Sequence, residues 1–423
     1  MSISIGLQIH LCCESSKSNI LWVSFLRICI ALFLPTLIIS SAFSQEKLKS
    51  NGHIPILGWY SIPPEEASPA RYLEMKEAGF DISFSFLGSP QDVQKSLDAA
   101  QQAGMKIVIS CPELKTETEK IVKRFMNHPA LAGYFLRDEP ALDAFIDLGN
   151  WAKRVNATDP NHFCYVNLFP NYATPLQLGT ANYRDYITKF AKEVPLHFLS
   201  FDSYPLTSAE GVYEKWHQNL EIFSDEAKKI GKPFWGFAQS ILFDNKHEDP
   251  SLATMRVQMF TNLAYGAQGL QYFTYWTPVS TTEDFRGGPI TLEGKRSTVY
   301  DHIKTLNQEI KNLSGVFYGA KVKSLQFFGN TIPTGTKRMS VLPAPIKVFA
   351  TEGKTALISL MENGGKQFIV IVNTDYLKKM SLTIFGDSSL KRVLKDGTMV
   401  PANAYDSTFD VDAGDVVIFN YEL

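Results

Sequence analysis

From Gly52 to about Gly315 the chain alternates short apolar runs with longer segments whose apolar positions fall three or four apart. The short runs are "PILGWYSI" (55–62), "FDISFSFLG" (80–88), "MKIVISCP" (105–112) and "LAGYFLRDEP" (131–140), followed by "FCYVNLFP" (163–170), "LHFLSFDSYP" (196–205), "PFWGFAQS" (233–240) and "GLQYFTYW" (269–276). They lack the apolar–polar alternation of a strand with one wet face. They read as eight strands buried on both sides, as in a parallel sheet covered by helices. Val212, Trp216, Leu220, Phe223 and Ala227 make one apolar stripe of a helix; Leu252, Met255, Met259 and Leu263 make another, and Val299, Ile303, Leu306, Ile310 and Leu313 a third. Ser68 before Pro69 reads as a helix N-cap. Gly79, Gly104 and Gly231, each just ahead of an apolar run, read as helix C-terminal signals.

Eight strand–helix units in this span predict an α/β fold, a (β/α)8 TIM barrel. A doubly wound open sheet fits less well, because no glycine-rich phosphate turn follows the first strand. Past Gly315 helical spacing stops, and strand pairs gather around "ENGGK" (362–366), "KDG" (395–397) and "DAGD" (412–415). The expected division is a signal peptide at 1–44, a barrel at 45–315 and a C-terminal all-β sandwich at 316–423.

The first 44 residues are a segment apart. Lys17 and Arg27 precede the apolar stretch "ICIALFLPTLIISSAFSQ", which ends with Ala42 and Ser44 placed as a cleavage signal. Left uncleaved, Ile20 to Phe43 is long enough to span a bilayer; the small residues favour removal after Ser44. The expectation is a secreted or periplasmic protein with no stable membrane insertion afterwards. Cleavage takes Cys12, Cys13 and Cys29 with it. Cys111 and Cys164 remain, expected at opposite ends of the barrel as separate buried thiols.

Composition narrows the function. The 423 residues carry 41 basic and 43 acidic side chains, a net charge of −2 that offers no footprint for nucleic acid. No cluster has metal-ligand spacing, so neither metal nor other cofactor is expected. In barrels chemistry sits at the C-terminal ends of the strands. Those ends supply Trp59 and Tyr60, Phe86 and Gly88, Cys111 and Glu113, then Arg137, Asp138 and Glu139 on the fourth strand and Asn167 on the fifth. Asp202, Ser203 and Tyr204 end the sixth, Trp235 and Gln239 belong to the seventh, and Tyr275 and Trp276 follow the eighth. Carboxylates and amides bind hydroxyls while aromatic faces stack on sugar C–H groups, so the expected partner is a carbohydrate.

The acidic pair and proline at 138–140, "SYP" at 203–205 and "YFTYW" at 272–276 resemble the clan-A glycoside hydrolases. "NLAYGAQGLQYFTYW" (262–276), with the β-sandwich tail, is most similar to the β-galactosidase-like families, family 42 and its relatives. The resemblance implies that Glu139 is the general acid/base. It implies that Asp138 stands where an asparagine usually binds the sugar's 2-hydroxyl. It also places Gln239 where the clan carries its nucleophilic glutamate. Asp202 is then the first candidate for a second carboxylate, ahead of Asp138 and of Glu283 or Asp284, and an inverting mechanism would follow if it faces Glu139 across the mouth. Arg137, Trp59, Asn167, Tyr204, Gln239, Tyr275 and Trp276 complete the expected binding set. Arg137 is expected to pair with Asp138 or Asp202, and Glu139 to lie in the main cleft with a raised pKa. The rivals are a non-catalytic carbohydrate-binding protein on the same fold, and cleavage assisted by a neighbouring group of the substrate.

Overall fold

Each of the eight apolar runs forms a strand of one parallel sheet in the computed structural model, which describes residues 46–207, 211–244 and 246–422. The expected signal segment, with Cys12, Cys13 and Cys29, lies outside the described residues. The strands are β1 (Ile56–Trp59), β2 (Ile82–Phe84), β3 (Lys106–Ile109), β4 (Leu131–Asp138), β5 (Phe163–Asn167), β6 (Leu199–Phe201), β7 (Phe234–Gln239) and β8 (Gly269–Phe273). Neighbours pair in chain order, and β8 returns to β1. Between β5 and β6 the seam is carried by the Leu168 N–H donating to the Ser200 carbonyl at 2.9 Å. The expected TIM barrel is the fold observed.

Among the described residues the eight helices of eight residues or more cover the outside: α1 (Pro69–Glu77), α2 (Pro90–Ala103), α3 (Thr118–Phe125), α4 (Phe145–Thr158), α5 (Tyr183–Glu193), α6 (Trp216–Lys229), α7 (Leu252–Ala264) and α8 (Thr298–Asn312). Their ends follow the expected local chemistry. Ser68 caps α1 by accepting from the Arg71 N–H, and Gly104 closes α2 with a left-handed φ of 67° that a side chain would strain. Cys111 and Cys164 are buried free thiols.

Inside the barrel, aromatic side chains do most of the filling. Trp59 sits among Phe84, Phe135, Phe237 and Tyr165 at ring separations of 4.5 to 5.8 Å. Lower down, Phe198 stacks on Trp235 at 4.1 Å. The barrel is a plugged core rather than a pore.

The tail forms β9 (Lys321–Phe328), β10 (Ile346–Ala350), β11 (Ala356–Asn363), β12 (Lys366–Asn373), β13 (Met380–Gly386), β14 (Lys391–Val393), β15 (Thr398–Pro401), β16 (Thr408–Val411) and β17 (Val416–Tyr421). Two antiparallel sheets result, a large one ordered β15-β14-β17-β12-β11-β9 and a small one ordered β10-β13-β16. A two-residue strand, Glu46–Lys47, adds to the large sheet's edge beside β15, so these residues pair with the tail's sheet although they precede the barrel. Strand β12 explains how the large sheet is used. Ile369 and Ile371 face the small sheet, while Phe368, Val370 and Val372 join the core shared with the barrel helices. Both faces are buried, which is why "FIVIV" carries no polar alternation.

Candidate active site

The mouth is organised by a bulge in β4. Phe135 pairs with Tyr165 and Asp138 with Asn167, yet only Val166 stands opposite the two residues Leu136 and Arg137. One extra residue in β4 shifts the alternation, so Asp138 follows Phe135 toward the barrel axis. Its effect on Arg137 corrects the sequence expectation. Arg137 is exposed and, among the described residues, makes no ion pair with Asp138, Asp202 or Glu139. The bulge takes it out of the inward register.

Glu139 follows directly, with φ at 40° and its N–H donating to the Asn167 carbonyl at 2.9 Å. A left-handed backbone at a glutamate is strained, and such residues gather where function over-determines the geometry. Tyr60, at the end of β1, shares the same φ of 40°.

Asn167 is the hub. Its Nδ2 donates to Asp202 Oδ1 at 2.9 Å and to Asp138 Oδ1 at 3.2 Å. Its Oδ1 accepts from the Ser200 hydroxyl at 3.0 Å, which in turn accepts from Gln271 Nε2 at 2.9 Å; Gln271 Oε1 accepts from the Tyr165 hydroxyl. This polar chain climbs the barrel axis on the inward residues of β5, β6 and β8 and ends at two carboxylates. Each link is buried and partnered, so the amide's orientation is fixed.

Three carboxyl groups therefore converge, and their acidities respond. Burial raises Glu139 first, and the charges of Asp202 and then Asp138 raise it further. Burial and the Asp138 charge raise Asp202, while the Asn167 amide and the Tyr204 hydroxyl oppose this. Asp138 is exposed at the strand end, and desolvation by the protein around it pushes its pKa up to about 6. Like charges that raise one another's pKa resist ionising together. Arg137 does not relieve them.

Several expected binding residues have other duties. Trp59 is only 3% exposed and plugs the barrel beneath the mouth, so it offers no stacking face. Tyr275 is buried against Phe80 on the helix side, 5.2 Å between rings, because β8 turns its odd residues outward after Phe273. Gln239 ends β7 as expected but is buried. Its Nε2 donates to the carbonyls of Ile241 at 2.9 Å and Glu248 at 3.2 Å, which pins the loop after the strand. Trp276 shows only an edge, with Arg71 lying 5.0 Å over its ring. Asn167, Asp202, Asp138, Glu139 and Tyr204 do come together.

Other aromatic groups form the rim. Phe86 is 44% exposed and Tyr172 47%. Tyr204 packs with Phe243 and Phe273, and Tyr60 with Phe86 and Phe273, at 5.1 to 5.9 Å. The Tyr60 phenol is raised by burial and by the Asp138 charge, and the Tyr172 phenol by burial, then Asp202 and Glu139. Both rings thus lie within electrostatic reach of the carboxyls. Tyr60 and Phe86 were visible as strand-end residues, but Tyr172 and Phe243 sit in loops that no periodicity marks.

Residues 159–313, from just before β5 to the end of α8, match the family model for glycoside hydrolase family 42, described as beta-galactosidase. In that span the barrel is similar to those of the family 42 glycoside hydrolases. The resemblance read from the strand-six and strand-eight motifs is borne out by that match. Strand β4 with Glu139 lies outside the matched span. The β-galactosidase from Bacillus circulans sp. alkalophilus shares the fold at a TM-score of 0.59 and 9% identity, over 88% of this chain and 99% of that one. The β-galactosidase from Rahnella sp. R3 gives 0.56 and 10%, over 89% and 100%. Against the β-galactosidase from the psychrophilic Marinomonas ef1 the figures are 0.47 and 12%, over 61% of this chain, and the chain spans only 60% of that protein. Among curated proteins none matches the sequence.

Proposed function

We propose that the protein hydrolyses glycosidic bonds of a β-galactoside-like glycan outside the cytoplasm, with Glu139 as general acid and Asp202 as the second carboxylate. The observation that carries this reading is the convergence of Glu139, Asp202 and Asp138 at the barrel mouth, each with a raised pKa and, among the described residues, without an ion pair. A general acid must hold its proton near neutral pH, and burial beside like charges supports that for Glu139. Asn167 orients Asp202 and Asp138 through one amide, so either can receive a proton from water without moving. With the amide of Gln239 committed to backbone carbonyls, no nucleophile ends β7. An inverting reaction follows: Glu139 protonates the leaving oxygen while Asp202 takes a proton from the attacking water. Tyr204, packed at a tilt against Phe273, offers the sugar a ring face and a hydroxyl.

The apolar stretch before Ser44 supports export. Among the described residues no helix is long and apolar enough to cross a membrane.

The test is turnover of aryl β-galactosides and a panel of related aryl glycosides by the mature chain. Glu139→Gln should lower kcat by roughly 10²–10⁴-fold on unactivated glycosides, and Asp202→Asn should abolish detectable turnover. NMR of the released sugar should report inverted anomeric configuration; retention would overturn the role given to Asp202. Binding without turnover by any glycoside would favour the second reading, a carbohydrate-binding protein on this barrel, for which the committed Gln239 is the supporting observation.

A further inference from the structure

At the end of the barrel away from the carboxyls, a cavity of about 550 Å³ opens where α6, the start of β7, the turn before β8 and strand β9 meet. Its floor is mostly apolar, built by Ala227, Pro233, Phe234, Tyr265 and Val322. Four lysines stand around it: Lys228 in the last turn of α6, Lys232 just before β7, and Lys321 and Lys323 on β9. The whole chain has a net charge of −2, so this concentration of positive charge is local. The wall near β8 is fixed by Gln268, whose Nε2 donates to the Phe317 carbonyl at 3.1 Å and whose Oε1 accepts from the Gly319 N–H at 2.7 Å.

The neighbouring acids are engaged elsewhere. Lys323 pairs with Glu362, which also lies in the field of Lys321. On α6, Asp225 and Glu226 pair with Arg184, and Glu226 pairs with Lys229 as well. Glu221 accepts from the Tyr265 hydroxyl at 3.4 Å and lies in the fields of Lys337 and Arg184. Among the described residues Lys228, Lys232 and Lys321 have neither an ion pair nor a side-chain hydrogen bond. Two of these three have local reasons to be lysines. Lys228 meets the negative end of a helix dipole, and Lys321 lies on an edge strand, where lysines deter pairing with another chain. Lys232 has neither reason. It is half-buried in the connection between α6 and β7, and burial holds its pKa below the ordinary value. A partly desolvated ammonium without a partner is destabilising, and an anion bound beside it would offset that.

We infer that this cavity binds a small organic anion, one carboxylate carried on an apolar body, with Lys232 as its main cation and Lys228 and Lys321 at the rim. The volume lies within the roughly 300–1,000 Å³ of small-molecule sites. The floor and the charge together set the class. A bare inorganic anion would leave the apolar floor wet, and a neutral apolar molecule would leave Lys232 unpaired. A polyanion would bring more charge than one half-buried ammonium can meet. The site goes beyond the hydrolase reading and does not depend on it, because none of its residues belongs to the mouth.

The test is titration calorimetry of the full mature chain with decanoate, kept below its critical micelle concentration, and with acetate, decanol and pyrophosphate as comparisons. Decanoate should bind at one site, at least about tenfold more tightly than any of the other three. Lys232→Met keeps the apolar stem and removes the charge, so it should weaken decanoate about tenfold, the loss of one charge-assisted contact, and leave decanol unchanged. Lys232→Arg should restore most of the affinity. Without ligand, Lys232→Met should melt no lower than wild type, since no partner is lost. A lower melting temperature would show that Lys232 already has a partner and would overturn the inference. So would the absence of decanoate binding, or an affinity that Lys232→Met leaves untouched. Acetate binding as tightly as decanoate would remove the apolar body from the claim, decanol binding as tightly would remove the charge, and tighter pyrophosphate would replace the organic anion by a polyanion; each overturns the assignment. Hydrolysis enters none of these readouts, so the result stands whatever the fate of the hydrolase reading.

Discussion

At the scale of single residues the barrel mouth is built against its own stability. A carboxyl whose folded pKa is raised binds more protons folded than unfolded between the two values, so stability falls as pH rises through that window. For Asp138 the window runs from its ordinary 3.8 to about 6, and the raised Glu139 and Asp202 extend it upward. Asp202→Asn keeps the acceptor for Asn167 and removes a like charge, so this variant should melt higher than wild type at about pH 8 and no differently at about pH 3, where all three groups are protonated. Calorimetric melts across that range check it; a lower melting temperature for the variant at the alkaline end would contradict the assignment of burial and mutual repulsion as the cause. A variant that gains stability while losing turnover is what the role proposed for Asp202 predicts. The carboxyl residues themselves were readable, because charge at the end of an apolar run demands a reason. Trp59 and Tyr275 were not. A tryptophan at a strand end reads the same in sequence whether it plugs the barrel or faces a ligand, and only the packing of Phe84, Phe135 and Phe237 around it decides.

At the scale of elements, all eight strands and the general course of the helices were legible, since burial on both faces leaves an unbroken apolar run that loops cannot imitate. The bulge in β4 was invisible. It costs one residue, involves no glycine or proline, and becomes apparent only from Val166 facing two partners. Its consequence is that Arg137, central to a sequence reading of "LRDEP", makes no ion pair with the carboxyls of the mouth among the described residues. Arg137→Ala should therefore change the denaturant midpoint by an amount within about 0.5 kcal/mol. The element that does hold this turn is α5: the buried Tyr186 hydroxyl donates to the Pro140 carbonyl at 2.7 Å. Tyr186→Phe should cost about 1 kcal/mol and leave that carbonyl unpaired. Equal costs at the two positions in urea titrations would show that Arg137 carries an interaction absent from this geometry. The same comparison applied to kcat separates support of the Glu139 turn from direct contact with substrate.

At the scale of the whole molecule, the barrel and the sandwich share one hydrophobic core instead of meeting through a polar seam. Leu357, Met361, Phe368, Val370, Val372, Val416 and Ile418 of the large sheet belong to the cluster that contains the inner faces of α7 and α8. The Ser359 hydroxyl donates to the Ala264 carbonyl at 2.8 Å, closing the end of α7 against β11. Around this apolar contact Arg256 of α7 pairs with Glu309 of α8 and lies 3.6 Å from Asp415, and Lys395 bridges the same two acids. Inter-domain contacts that resemble transient interfaces let each domain unfold alone, whereas a continuous core couples them. Melting should accordingly give a single calorimetric transition, with the calorimetric enthalpy equal to the van't Hoff enthalpy. A chain ending at Phe317 should fail to give a soluble barrel, because α7 and α8 would expose the apolar surface that the large sheet covers. Two resolved transitions, or a soluble truncated barrel with its near-ultraviolet dichroism intact, would refute the shared core. The mouth lies on the opposite logic: its carboxyls are destabilising, and the sandwich braces the two helices that follow β7 and β8. Weakening that brace by Ser359→Ala should lower the melting temperature without moving the pH limbs of turnover, since no carboxyl of the mouth touches it.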